Sequence, residues 1–314
     1  MADFATFVGI DVSKASLDVH VLGPNGSFQQ PNTREGRAAL LRQLPAPGTC
    51  LIVLEATGGY ERLPFALLWA EGLPCALANP RQVRRFAEAM GRLEKTDRID
   101  AGLIAHFGAV KALAPHAPAR DSQRRLEALT VRLRQLTSAR VAQANQRRLV
   151  EDATVLGSID RISAALTQEI RTLEAEIDAL LDADPLWRSL AQALRTIKGV
   201  AGRTVATVLA HLPEIGTLSN KAVAKLVGLA PLANDSGQRQ GRRPVRGGRT
   251  PVRSLLVLVA AVVARHHPDF RLMHQRLTAA GKPKMVVRIA LARKLIVRLN
   301  AIARDARRQL ALTP

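Results

Sequence analysis

Four carboxylates in this chain stand where they could serve one reaction. Asp11 closes a short apolar segment, TFVGIDV, and Glu55 follows directly on the continuous apolar run CLIVL at 50–54. In parallel or mixed sheets, side chains at the carboxyl ends of neighbouring strands converge on one crevice. Asp97 and Asp100 are three apart at the start of a predicted helix, a spacing that puts both on one face. Converged carboxylates repel one another unless a divalent cation lies among them. Mg²⁺, with Mn²⁺ as a substitute, prefers such oxygen ligands and bridges well to phosphate. A set of this kind positions metal for phosphodiester chemistry. The spacing alone leaves a plainer arrangement open, with the acids scattered over the surface and Asp97 serving as a helix N-cap.

The elements that must position these groups follow from pattern. Residues 6–12, 17–22 and 27–30 read as short strands, with Pro24-Asn25-Gly26 suited to a hairpin between the last two. The run 50–54 reads as a strand buried on both faces, and another short strand lies near 74–78. Helices are expected over 34–44, 60–70, 80–90 and 97–110, the third opening on Pro80. This order predicts an α/β sheet with a hairpin on one side. Pro115 and Pro118 mark a boundary. Beyond it, Leu126, Leu129, Leu133 and Leu136, then Ile162, Leu166, Ile170, Leu173, Ile177 and Leu180, recur at helical spacing. They predict two long amphipathic helices joined near Gly157, forming either an antiparallel pair or a coiled-coil arm that dimerises the protein. From 186 onward the chain is helical again, except for a polar insert at 233–250. That insert holds four glycines (237, 241, 247, 248) and five arginines: Arg239, Arg242, Arg243, Arg246 and Arg249. Upstream, Ile197-Lys198-Gly199-Val200-Ala201-Gly202 resembles a helix-hairpin-helix turn, whose backbone N–H groups face a phosphate. An ordinary glycine turn between core helices fits the same letters.

Composition narrows the function. The 314 residues suffice for two cores. Residues 186–314 carry 24 basic and 4 acidic side chains, which accounts for the whole net charge of +20. A sign confined to one region points to a polyanionic partner rather than to a general solubilising surface. With 3% aromatic residues, stacking of bases on aromatic rings cannot be a widespread mode of contact. Cys50 and Cys75 sit in apolar runs and read as small buried residues of a reducing compartment, not as a zinc site. The N-terminus lacks the basic start of a signal peptide, and the apolar run 254–264 is too short to span a bilayer.

Longer strings carry a resemblance. VGIDVSKASLDVHV, EATGGYE at 55–61 and NPRQVRRFAEAMGRLEKTDRIDAGLIA at 79–105 resemble the N-terminal domain of the IS110 family of transposases. LRTIKGVAGRTVATVLAHLPEIGTLSNKAVAKLVGLAPLANDSGQRQGRRPVRGGRTPVRSLL and RHHPDFRLMHQRLTAAGKPKMVVRIALARKLIVRLNAI resemble its C-terminal domain. The resemblance implies a RuvC-like α/β domain of the RNase H superfamily at 1–118. A helical coiled-coil-like arm at 119–185 and a mainly helical basic domain at 186–314 would follow. It carries the family's acidic, metal-binding quartet onto Asp11, Glu55, Asp97 and Asp100, and the catalytic serine onto Ser236. It further implies a homo-oligomer (dimer or tetramer) joining these groups across subunits, donor and target DNA as substrates, and a non-coding bridge RNA that chooses them. The setting would be a prokaryotic cytoplasm, near the nucleoid.

Taken by itself, Asn234-Asp235-Ser236-Gly237-Gln238 lacks the Gly-x-Ser-x-Gly elbow of a hydrolase and has no adjacent His. The arginines around it suit attack on phosphate, with Lys198, Arg239, Arg242, Arg243, Arg246 and Arg249 as candidate nucleic-acid contacts. A polar loop serine fits the letters equally. Three functions remain in view: a recombinase using metal and serine, a RuvC-like metal-dependent nuclease with a structural Ser236, and a non-enzymatic nucleic-acid-binding protein.

Overall fold

The computed structural model describes residues 4–23, 26–92, 97–236, 239–241 and 243–312, without the side chains at 97–99, 235–236 and 239–240. The chain divides into two compact units, Met1–Ala119 and Arg120–Pro314.

The first unit is a sheet covered on both faces. Strands β1 (Thr6–Val12), β2 (Ser16–Val21) and β3 (Ser27–Pro31) form an antiparallel ladder. β4 (Cys50–Glu55) pairs parallel with β1, and β5 (Cys75–Ala78) pairs parallel with β4, giving the order β3-β2-β1-β4-β5. Pro24 and Asn25 lie outside the described residues, but the strands on either side pair as the hairpin reading expects. The two-residue period of a strand sorts the side chains. Val8, Ile10, Leu17, Ile52 and Leu54 face Leu40 of α1 (Arg34–Gln43) and Phe65 and Leu68 of α2 (Arg62–Ala70). Leu51, Val53 and Ala76 face the other way, onto Val83 of α3 (Pro80–Ala89) and Leu103, Ile104 and Phe107 of α4 (Asp97–Lys111). Both cysteines are buried in this core, and burial pushes the Cys75 thiol up to about 12, so neither is a reactive thiolate.

One glycine sets how closely α4 approaches. A Cβ at Gly9 would lie 2.0 Å from the Ala101 carbonyl oxygen and 2.4 Å from the Ala105 nitrogen, so no side chain fits there. Further along the helix, a Cβ at Gly108 would meet Val53 Cγ2 at 2.5 Å and Phe7 Cδ1 at 3.6 Å. Residues 101–105 lie over Gly9, and 108 lies over Phe7 and Val53. The helix therefore runs antiparallel to β1, with its N-terminus above the carboxyl end of that strand.

The second unit is mainly helical. α5 (Asp121–Arg147) and α6 (Ala153–Ala183) form an antiparallel pair, tied at the two ends by Arg125–Glu176 (2.7 Å) and Arg147–Asp160 (2.7 Å). The turn is at 148–152, where Asp152 caps α6 by accepting from the Val155 N–H. Gly157 is helical, so the joint expected there is displaced toward the N-terminus; a helix tolerates one glycine, and the cap decides where it begins. Leu126, Leu133, Leu136, Ile170, Ile177 and Leu181 are buried in one core with the helices that follow. Those are α7 (Pro185–Arg195), α8 (Gly202–His211), α9 (Asn220–Val227), α10 (Thr250–His266), α11 (Pro268–Ala279) and α12 (Lys284–Leu312). Between α9 and α10 a small antiparallel pair, β6 (Asp235–Ser236) with β7 (Arg239–Gln240), rises from the polar insert, a hairpin that the sequence pattern does not announce. Among the described residues no helix is long and apolar enough to cross a membrane.

Candidate active site

Strand parity brings two of the four sequence-selected acids together. Gly9 faces α4, so Asp11, two residues on, faces the same way; Val53 faces α4, so Glu55 does too. In the parallel ladder Ile10 stands beside Leu54, which puts Asp11 and Glu55 next to each other at the carboxyl ends of adjacent strands. Asp100 precedes Ala101, which touches Gly9, and so lies in the α4 turn that crosses this end of the sheet. Asp97 opens the same helix, and its side chain lies outside the described residues.

A further acid, absent from the sequence-selected set, shares the face. Asp18 of β2 stands directly opposite Asp11 in the antiparallel register and is 8% exposed. Its carboxylate accepts from Gln29 Nε2 at 2.8 Å and from Ser16 Oγ at 3.1 Å, while Ser16 Oγ meets Ser13 Oγ at 2.9 Å. The signal was present in LDVHV, but only the hairpin register aligns Asp18 with Asp11. Directly opposed like charges destabilise a sheet, and a cation beside them removes the penalty. The turn after Glu55 is held by Glu61, which accepts from the Thr57 and Gly59 N–H groups at 3.1 and 2.8 Å.

The oxygen-only donor set is the kind a hard divalent cation takes. Among the described residues, however, no group of three or more His, Cys, Asp or Glu is gathered closely enough to hold a metal. Asp11, Glu55 and Asp100 each interact with a neighbour instead.

In the second unit, Ser236 stands opposite Arg239 across the two-stranded hairpin. The side chains of both, and the whole of Gly237 and Arg242, lie outside the described residues. The hairpin closes below them through Gly241 N–H to Asn234 O (3.1 Å) and Leu232 N–H to Pro244 O (3.0 Å). At its foot, Gly248 has φ +67 and packs on α9, where a Cβ would lie 2.4 Å from the Gly228 nitrogen. Arg249 is engaged inward. It donates to both Glu214 oxygens at 2.5 Å and to the His211 carbonyl at 2.9 Å. Burial pushes the Glu214 carboxyl up, but the hydrogen bond from Arg249 and its backbone hydrogen bond hold it below the ordinary 4.5. Burial, with Arg134 and Arg249 nearby, pushes the His211 imidazole below 6.5. Arg243 and Arg246 are exposed along the insert, and Lys198 is exposed in the turn between α7 and α8. That turn packs hard on α10, since a Cβ at Gly199 would sit 3.2 Å from the Val263 backbone. With φ +96 as well, the turn favours glycine for local structural reasons, whatever else it does.

The fold and these two sites define a chain with an acid-edged α/β unit joined to a basic helical unit. Residues 8–154 match the model of the IS110-type DEDD transposase domain, and residues 191–275 match the model described as transposase of the IS116/IS110/IS902 family. The chain belongs to the IS110 family of transposases, enzymes that act on DNA. Among curated proteins it is similar to the pilin gene-inverting proteins of Moraxella lacunata and Moraxella bovis. Each is 29% identical over 321 residues, covering 96% of this chain and 97% of theirs. It is also similar to an uncharacterised insertion element IS110 protein of Streptomyces coelicolor, 27% identical over 389 residues, with 96% of this chain and 95% of that one covered.

Proposed function

We propose that this chain is a recombinase that cuts and rejoins insertion-sequence donor and target DNA through a serine-linked intermediate. The observation that carries the reading is the convergence of Asp11 and Glu55 on one sheet face, with the Asp97–Asp100 turn of α4 crossing it. The strand order β3-β2-β1-β4-β5, an α/β sheet with a hairpin on one side, supports the RuvC-like reading. Asp11, Glu55, Asp97 and Asp100 would hold Mg²⁺ or Mn²⁺, which supplies Lewis acidity toward a phosphate oxygen. Their own part is to fix that charge at the strand ends.

Ser236 Oγ would attack phosphorus, forming an Oγ–P bond as one P–O bond of the DNA strand breaks. The hydroxyl proton leaves Oγ, and the departing DNA oxygen takes up a proton. Arginines of the insert would offset the negative charge that builds on the phosphate. Because the phosphodiester is exchanged and not hydrolysed, the strand can be rejoined. The relatives named for gene inversion favour this over simple hydrolysis, since inversion requires every cut end to be resealed. Substrate choice through a bridge RNA, and assembly as a homo-oligomer, belong to the same proposal. The basic unit would hold backbones while base pairing supplies sequence.

The test is denaturing electrophoresis of end-labelled element DNA after incubation with protein and Mg²⁺, with and without protease. A protein-dependent shifted band that collapses on proteolysis and is absent from Ser236→Ala is expected. Asp100→Asn should abolish both band and cleavage. Cleavage with no adduct in either wild type or Ser236→Ala would assign the chain to the hydrolytic nucleases.

A further inference from the structure

A cavity of about 560 Å³ opens at the foot of the serine hairpin. One wall is the hairpin's own base, with Leu229, Pro244 and Val245; the other is Met273 of α11 with Met285 and Ile289 of α12. The lining is apolar except for three cations, Arg243, Arg293 and Lys294, and holds no acid. Lys294 is held in place, its Nζ 3.0 Å from the Asp269 carbonyl oxygen and 5.1 Å from the Phe270 ring centre. Arg293 is exposed, and no carboxylate among the described residues pairs with it. Met285 and Val286 are 57% and 51% exposed, an apolar opening on a strongly basic surface.

We infer that this cavity takes one unstacked nucleobase from the strand being processed, with its flanking phosphates on Arg293 and Lys294. The inference rests on the proposed role of the hairpin. Three observations lead to it. The volume falls within the range of small-molecule sites. The lining offers thioether and aliphatic surfaces, which can pack against the faces of a base without reading its edges, the apolar part of how flipped bases are held. Arg243 and Arg293 line the opening without an acid in the cavity wall, while Lys294 shares its charge with the nearby Asp269 carboxylate; the net positive lining matches a phosphate-flanked ring and disfavours an apolar peptide. The position fits too. Leu232, hydrogen-bonded to Pro244 of the cavity wall, is four residues from Ser236, about 13 Å of extended chain. That is the length of about four stacked nucleotides at 3.4 Å per step. A base seated here would keep the strand from sliding while the phosphate reacts. Methionine thus supplies the ring contact that a chain with 3% aromatic residues otherwise lacks.

Four methionines, of which Met273 and Met285 line the cavity, make the test direct. Full-length protein carrying ¹³C-methyl methionine is titrated with a 12-nucleotide single-stranded DNA, and separately with an abasic strand of equal length and charge. Binding of both is followed by anisotropy. The base-bearing strand is expected to move the Met273 and Met285 methyl signals upfield by ring current and leave Met90 unmoved. The abasic strand should bind without that shift. Ala290→Phe, which fills the cavity, should remove the shift. It should also weaken the base-bearing strand about tenfold, toward the lower end of what one well-held base contributes, with an unchanged melting temperature. Binding of both strands with no methyl shift, or with equal shifts, overturns the base pocket and leaves the proposed function standing. Met273 and Met285 signals that move with protein concentration alone would make the cavity an interface between copies and likewise overturn it. If neither strand binds, the base pocket is overturned and, with it, the nucleic-acid role of the basic unit.

Discussion

Gly9→Ala tests whether the approach of α4 to β1 makes the acidic site. The added Cβ would start 2.0 Å from the Ala101 oxygen, whereas ordinary contact begins at 3.4 Å, so the helix must retreat by about 1.4 Å. The opposing atoms are backbone, so no rotamer change relieves the clash. Overpacking of this kind costs about 1–3 kcal/mol, occasionally more. For a unit of this size that lowers the melting temperature by roughly 5–15 °C. The retreat also carries Asp97 and Asp100 away from Asp11 and Glu55, and a misplacement of about 1 Å costs on the order of 100-fold in rate. Gly108→Ala is the control. It strains the far end of the same helix, where a Cβ meets side-chain atoms of Val53 and Phe7 and no backbone. Both variants are measured by thermal unfolding and by strand cleavage at a temperature where each is fully folded. Gly9→Ala should lose cleavage about 100-fold, and Gly108→Ala should lose mainly stability. Normal melting and normal cleavage in Gly9→Ala would refute the reasoning; equal loss of cleavage in both would reduce it to stability alone.

Leu133→Ala removes a side chain 5% exposed in the core shared by α5, α6 and the later helices, and should cost about 2–5 kcal/mol in denaturant unfolding without lowering oligomer mass in light scattering. Glu214→Gln should cost about 1 kcal/mol at neutral pH, a modest figure because the paired side chains are 39% and 31% exposed. The folded Glu214 value is depressed, so its contribution is complete above about pH 4.5 and lost as pH falls through the folded value. The variant's stability profile should therefore be flatter in acid. His211 is depressed as well, so stability should fall as pH drops below 6.5 and the unfolded chain takes up the proton first, and His211→Asn should flatten that limb. Replacing Lys198 and Arg246 with Ala should lower the slope of log affinity against log salt by roughly 1 per lost phosphate contact. Arg249→Ala should instead lower the melting temperature, because its guanidinium is held by Glu214 and His211.

The sequence alone determined the alternation of strands and helices, since apolar period and caps are local: Val8, Ile10 and Val12 alternate along β1, and Asn79-Pro80 begins α3. It also located the positive charge, because composition survives any folding. It left the relation among the acids open, because their approach depends on contacts between distant residues. Gly9 against Ala101 and Ala105 is a contact across some ninety residues, and nothing local in either segment announces it. The Asp11–Asp18 pairing was hidden for the same reason, as a register one residue different would have sent Asp18 to the opposite face. Arg249 shows the converse. In the sequence it is one of five similar arginines, and only folding brings Glu214 within 2.5 Å and turns a candidate phosphate contact into an internal clamp. The amphipathic stripes of α5 and α6 likewise announce that they must be covered. Which surface covers the halves bearing Leu126, Leu133, Ile177 and Leu181 was decided by helices up to 180 residues away, because an apolar stripe specifies burial and not a partner.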